Sequence, residues 1–342
     1  MNPSRGFALS IRSIDSAPLA FLRALCVIAE GAVVASSAAM NCVAAVLGDP
    51  WGRLSVMGGR AGMPRSLGSV LGSAVVRFLG GFRDKESRSI PMRRFGSIAI
   101  SRDGATLYVS ADGVHAYILA TGAHLRSVGV GWGVGPLQFK YTRQIWIAPN
   151  DLVFVADGLN NRLQILTPQL DFHGFMGARE LDCPYGVGGD DTVVAVSEFN
   201  AGQIKVFCRS DGALLRCFGT YGRSEGQLAF PSGLCVVNGS RGHCRQPLIA
   251  VAERGTGRVT VFCLCGEFLR HIGAGKLKTP YSVACSAFSE LLVDDHGNGS
   301  VVLFGGDGEL SQTIGCKWCH VAIHGDAVFA HCLWRRACVV YT

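Results

Sequence analysis

The sequence predicts an all-β protein, a six-bladed β-propeller closed by an N-terminal strand and preceded by a non-repeat extension. The first observation behind this is a β-type run ending in an acid: Val155-Ala156-Asp157, Val196-Ser197-Glu198, Val251-Ala252-Glu253 and Leu292-Val293-Asp294. The second is a partner run beyond a small polar turn, ending in an apolar pair: Gln164-Ile165-Leu166, Lys205-Val206-Phe207, Thr260-Val261-Phe262 and Val302-Leu303-Phe304. The third is the period. The acids Asp112, Asp157, Glu198, Glu253 and Asp294 lie 45, 41, 55 and 41 residues apart, close to the spacing of about 40–45 residues that marks a four-stranded propeller blade.

Taken in chain order, residues 1–72 do not share the repeat. Arg5, Arg12 and Arg23 precede or interrupt an alanine-rich apolar stretch at residues 18–47, and acids are scarce there, which suits a targeting segment. The same stretch reads alternatively as a membrane anchor, weakened by Arg23, Glu30 and Asn41 inside it, or as a disordered or marginally helical extension. From residue 73 the chain reads as strands, so 73–342 forms the propeller. In the third repeat, runs at 185–187, 193–197, 203–208 and 214–218 are separated by Gly-Gly-Asp-Asp, Asn-Ala-Gly and Ser-Asp-Gly turns, the residue types that turns demand. The fourth run closes with glycine in repeat after repeat, at Gly129, Gly177, Gly219, Gly273 and Gly315. An insertion at 238–246 explains the widest spacing. The last repeat offers three runs, near 319–323, 327–331 and 337–341, and lacks an outer strand. Residues 75–80 read as that missing strand, which would remove open sheet edges.

Composition bounds the function. The 342 residues include 45 glycines and are 49% hydrophobic, as expected of short strands joined by tight turns. Net charge is +7; six arginines against three acids in residues 1–72 leave 26 basic against 22 acidic residues in the rest. So mild an excess does not by itself argue for nucleic acid. Fourteen cysteines are scattered, and Cys208, Cys235, Cys263 and Cys285 stand at apolar strand positions, as reduced core residues do. Asn238-Gly-Ser240 and Asn298-Gly-Ser300 would accept glycans in a secreted protein. A cytoplasmic propeller is the favoured location, with secretory, membrane or organellar alternatives resting on the N-terminal segment.

These residues resemble the NHL repeat family, whose units run roughly Pro-x-Gly-Ile-Ala-Val, Val-Tyr-Val-Ala-Asp, Asn-x-Arg-Val-Gln-Val-Phe and a Phe-Gly ending. The segment 153–165, with Val155-Ala156-Asp157, Asn161-Arg162 and Gln164-Ile165, is the best match. Two linkers match as well, from Phe218-Gly219 to Pro231 and Gly233, and Gly129 to Gly135. The resemblance implies a non-catalytic scaffold that presents one face to a protein or peptide. Its RNA-reading members imply single-stranded RNA as the alternative. Some enzymes of similar fold, the peptide-amidating lyases, imply a third reading with zinc held by histidines near the axis. The nine histidines here do not recur at inner-strand positions, and no Ser-His-Asp or phosphate-binding loop can be placed. Catalysis and cofactors are therefore not expected.

The face formed by the loops leading into the first strands and by the turns between second and third strands interleaves aromatics with cations. Its candidates are Trp132, Tyr141, Arg143, Tyr185, Tyr221, Arg223, Arg254, Lys278, Tyr281 and Trp334, suited to anchoring a partner or stacking on bases. The repeated acid reads as a structural residue that bonds its own turn amides. Cys316-Lys317-Trp318-Cys319-His320 matches a haem-attachment pattern, and Cys316, Cys319, His320 and His324 are weak metal candidates. The pattern straddles a blade junction, so ordinary packing or an incidental disulfide is expected. Arg77, Arg126, Arg216 and Arg270, three residues before closing glycines, read as solvated outer edges. A membrane partner would require 18–47 to be retained as an anchor.

Overall fold

The computed structural model describes residues 42–48, 54–60, 76–81 and 97–341, except 120, 130, 238–246, 287–288, 316–317, 325–326 and 333–336. The strands are β1 (Cys42–Gly48), β2 (Leu54–Arg60), β3 (Val76–Gly81), β4 (Ser97–Ile100), β5 (Thr106–Ser110), β6 (Val114–Ile118), β7 (His124–Val128), β8 (Thr142–Ile147), β9 (Val153–Asp157), β10 (Arg162–Leu166) and β11 (Phe172–Met176). They continue with β12 (Pro184–Gly189), β13 (Val193–Glu198), β14 (Gln203–Cys208), β15 (Leu214–Phe218), β16 (Pro231–Val237), β17 (Leu248–Glu253), β18 (Arg258–Cys263) and β19 (Phe268–Ile272). The last are β20 (Pro280–Cys285), β21 (Leu291–Asp295), β22 (Ser300–Phe304), β23 (Leu310–Gly315), β24 (Trp318–His324), β25 (Ala327–Cys332) and β26 (Ala337–Tyr341).

The fold is an all-β propeller. Five blades are built from four consecutive antiparallel strands, β4–β7, β8–β11, β12–β15, β16–β19 and β20–β23, where the sequence predicts six units. The remaining sheet differs in kind: β24, β25 and β26 are joined by β3 from the other end of the chain, with Tyr341 opposite Val76 and Val340 opposite Arg77. The extension is expected to be disordered, helical or membrane-inserted. Within residues 1–72, β1 and β2 pair over seven residues. No helix among the described residues is long and apolar enough to cross a membrane.

The core lies between blades. Second strands are buried along their whole length, as in β9, β13 and β21, because each is covered on both faces by its neighbours. Blade 2 meets blade 3 through Phe154, Ala156, Leu163, Val187, Val194 and Phe207; Val261, Ile272, Val293 and Phe304 join blades 4 and 5. Burying one such side chain contributes about 1.5–3 kcal/mol. Outer strands are wet: β15 is exposed along most of its length.

The repeated acid holds the turn end of each blade. Asp157 accepts from the backbone N–H of Lys140 (2.7 Å), the Asn160 amide (2.8 Å) and Arg162 Nε (2.9 Å). Glu253 accepts from the N–H of Ala229 (3.0 Å), Thr256 Oγ1 (2.9 Å), Arg258 Nε (2.8 Å) and Thr260 Oγ1. Two markers move. In blade 5 the role falls to Asp295, opposite Pro280 as Glu253 is opposite Pro231, and it accepts from the N–H groups of Lys278 and Thr279. Asp112 is exposed, and buried Ala111 occupies the corresponding position.

Several other residues take roles that their sequence context does not suggest. Arg126 and Arg270 are solvated, as outer-edge residues are, and also act as latches: Arg126 pairs with Asp171 at 2.8 Å and donates to the Gln169 carbonyl, and Arg270 donates to the carbonyls of Gly306 and Asp307. Cys263 is disulfide-bonded to Cys265 across a tight turn, not a reduced core thiol, whereas Cys208, Cys235 and Cys285 are free. The Asn298 amide donates to Asp295 Oδ2 at 2.7 Å.

Candidate functional site

Each first strand of blades 2 to 5 begins with a bulge. The register shifts between Thr142 and Ile145, Pro184 and Val187, Pro231 and Leu234, and Pro280 and Ser282. A bulge twists its strand and re-aims the residues inside it. In this way Arg143, Tyr185, Ser232 and Tyr281 become equivalent positions at the mouth of the ring. The residue just before the strand has positive φ in three blades, Tyr141 (67°), Cys183 (48°) and Phe230 (52°), a left-handed turn that brings the linker over the same mouth. The residue after each blade acid supplies a second tier, with Gly158, Phe199, Arg254 and His296.

These tiers join into one arc across blades 2 to 5. The Arg143 guanidinium lies 4.0 Å from the centre of the Tyr141 ring and 4.4 Å from that of Tyr185. Tyr185 stacks on Phe199 at 5.6 Å, with their planes 25° apart. Arg254 sits 5.2 Å from the Phe199 ring and 4.0 Å from that of Tyr281, and Tyr281 meets His296 at 4.9 Å. A spur runs from Phe199 through Phe230 to Tyr221. Cations over aromatic faces contribute about 0.5–2 kcal/mol each, more when water is excluded. Tyr185 is buried, and burial pushes its hydroxyl up to about 12 against the opposing pull of Arg143 and Arg254. Both guanidinium fields therefore reach one phenol.

The arc borders a cavity of about 260 Å³ lined by Asp112, Trp132, Phe139, Tyr141, Arg143, Tyr185 and Tyr281 among others. One residue deeper, Gln144 spans the axis. Its carbonyl accepts from the N–H groups of Val187 (3.3 Å) and Leu234 (3.0 Å), while its amide donates to the Leu234 carbonyl at 2.8 Å. The first strands are close enough that a Cβ on Gly186 would lie 2.5 Å from the Ser232 carbonyl oxygen. The mouth is thus a shallow cup with a filled floor.

Of the residues expected on this face, Tyr141, Arg143, Tyr185, Arg254 and Tyr281 come together in the arc. Trp132 lines the cavity, 64% exposed, and Tyr221 holds the matching place on the linker between blades 3 and 4, 53% exposed. Arg223 and Lys278 are exposed at the rim and join no ring contact or ion pair among the described residues. Trp334 and Cys316 lie outside the described residues, as do the side chains of Cys319, His320 and His324. Phe230 and Gln144 were not singled out by sequence reasoning. Phe230 was legible as the equivalent of Tyr141 in the linker repeat; Gln144 carried no signal.

Two other places are less suited to a ligand. A larger cleft of about 740 Å³ opens at the opposite end between blades 1 and 2, but its polar groups serve each other, as when Tyr108 donates to the Pro168 carbonyl at 2.8 Å. Among the described residues, Cys263, Cys265 and Glu267 form the one group spaced to hold a metal, and that cysteine pair is disulfide-bonded.

The fold and its mouth define a β-propeller with an aromatic and arginine cup. No protein-family profile matches the chain, and no curated protein matches it. Solved structures do. A streptogramin B lyase structure superposes with TM-score 0.56 at 10% identity, covering 77% of this chain and 81% of that one. Virginiamycin B lyase from Staphylococcus aureus gives 0.54 at 11%, covering 87% and 93%. A nidogen/laminin complex structure gives 0.55 at 15%, covering 70% and 92%. At these identities the likeness concerns the fold alone.

Proposed function

We propose that this chain is a non-catalytic interaction scaffold whose arc binds a protein or peptide partner. The observation that carries the reading is the arc itself: two arginines set over aromatic rings, with no carboxylate within ion-pair distance among the described residues. Aromatic and arginine side chains in a partly desolvated cluster are the groups that dominate protein interfaces. The nidogen/laminin neighbour is named as a protein complex, which is consistent with such a role; the lyase neighbours keep an enzymatic reading as the contrast. His115, His124, His173, His271 and His296 stand off the first strands, whereas His320 and His324 lie on β24, the first strand of the composite sheet.

In the same reading, the composite sheet of β24–β26 with β3 serves as a sixth blade, supported by the contacts of β24 with both β20 and β4. The repeats are of NHL type, supported by the motifs at 153–165 and the two linkers, and residues 1–72 are an extension outside the repeats. The test is site-specific photo-crosslinking in the native source: a benzoylphenylalanine at Trp132 or Tyr221 should capture a polypeptide, and one at Leu215 on exposed β15 should not. Capture of RNA from the first two positions would favour the alternative, and equal capture from all three would reject the face.

A further inference from the structure

Building on the reading of the arc as a surface for a protein or peptide, we infer that its occupant is an acidic peptide, with a ligand carboxylate meeting the Arg143 guanidinium and a second acidic contact falling at Arg254.

Of the cations at this end without an ion pair among the described residues, Arg143 and Arg254 are the two that lie over aromatic rings. Three of the turn carboxylates are already answered by cations: Asp157 by Arg162 at 2.9 Å, Glu198 by Lys205 at 3.0 Å and Glu253 by Arg258 at 2.8 Å. Arg143 and Arg254 have no such partner among the described residues. In each, Nε is buried and donates to no acceptor. Stacking occupies the flat face of a guanidinium and leaves its donors in the plane, where a carboxylate is met by two parallel hydrogen bonds. The rings that flank each cation also keep water from competing.

Size and sign select a peptide over a phosphate ligand. A cup of about 260 Å³ is below the ~300–1,000 Å³ usual for a whole small molecule, and suits one or two side chains of a larger chain lying across the mouth. Asp112 lines the cup, and Asp294 is near enough to raise the Tyr185 hydroxyl. These acids oppose a phosphate dianion more than a single carboxylate. Exposed Trp132 and Tyr221 give apolar anchors on either side.

Panning a random dodecapeptide display library on the full-length protein tests this. Enriched peptides should carry Asp or Glu, and changing that residue to Asn or Gln in a synthetic peptide should weaken binding at least tenfold. Arg143→Gln and Arg254→Gln should each cost a similar factor, with the loss not additive to that of the peptide change, while Arg216→Gln on the exposed outer strand β15 leaves affinity unaltered. Should an arginine variant misfold, the peptide-side change on the unaltered protein still decides the matter. Peptides that lose binding on Trp132→Ala yet contain no acid would overturn the carboxylate inference and leave the peptide-binding reading standing. No enrichment, or tight binding of oligouridylate instead, would overturn both.

Discussion

The fully buried carboxylate of Glu253 holds a linker amide, two hydroxyls and Arg258, and taking one partner from a buried pair strands the other. Glu253→Gln should therefore lower unfolding free energy by about 3–5 kcal/mol, read from the midpoint of a urea titration at unchanged slope. A second single-residue prediction concerns His115. It is buried, with Nδ1 2.7 Å from Ser127 Oγ, and burial with His124 nearby lowers its pKa to about 4. Because the folded state resists protonation more than the unfolded chain does, its contribution is complete above about pH 6.5 and is lost as pH falls toward 4. Stability should decline over that window by up to roughly 3 kcal/mol, and His115→Gln should flatten the decline. A decline of the same depth in the variant would assign it to other groups.

Among the strands, the repeat in blades 2 to 5 is a pattern of two bulges per blade. One opens the first strand; the other falls between the third and fourth strands, at Ile165/Leu166, Val206/Phe207, Val261/Phe262 and Leu303/Phe304. The apolar pair that announces each blade in the sequence therefore marks an irregularity, and its second member is driven into the interblade core. Phe207 is fully buried, so Phe207→Ala should cost about 3–5 kcal/mol, measured by thermal or chemical unfolding. Arg270→Ala removes a latch between neighbouring blades yet exposes nothing apolar. Its cost should be near ~1 kcal/mol, and a loss as large as that of Phe207→Ala would show the latch to be part of the core.

How the ring as a whole holds together depends on the composite sheet. Its outer strand β3 is more than 250 residues from β26 in the chain, so the pairing closes a long loop and completes an edge that would otherwise be exposed. Deleting residues 73–81 should lower the melting temperature sharply and promote aggregation, whereas removing residues 1–70 should leave the far-ultraviolet spectrum of the propeller intact. An unchanged melting curve in the first variant would refute closure through β3. Salt dependence separates the two partner classes. A peptide held by two carboxylate–arginine contacts should show a modest dependence, while RNA would lose affinity more steeply, because each of its many phosphate contacts releases condensed counterions on binding.

The architecture is legible in the order of residue types alone. Acid, turn and apolar pair recur with a blade's period, and in blades 2 to 5 local hydrogen bonding favours that recurrence, because the carboxylate satisfies turn and linker amides. The end of the ring that carries aromatics and cations is legible too, since strand alternation sends every linker and second turn to one side. Which of those residues meet is a matter of three-dimensional packing. Arg143 and Tyr185 are 42 positions apart in the chain and touch because first strands from successive blades converge and bulge at the same depth. The shift of the blade 5 acid from Asp294 to Asp295, and the reach of Gln144 across the axis, depend on register and on distances between strands. A one-residue change of pairing alters those distances without leaving a mark on the pattern of residue types.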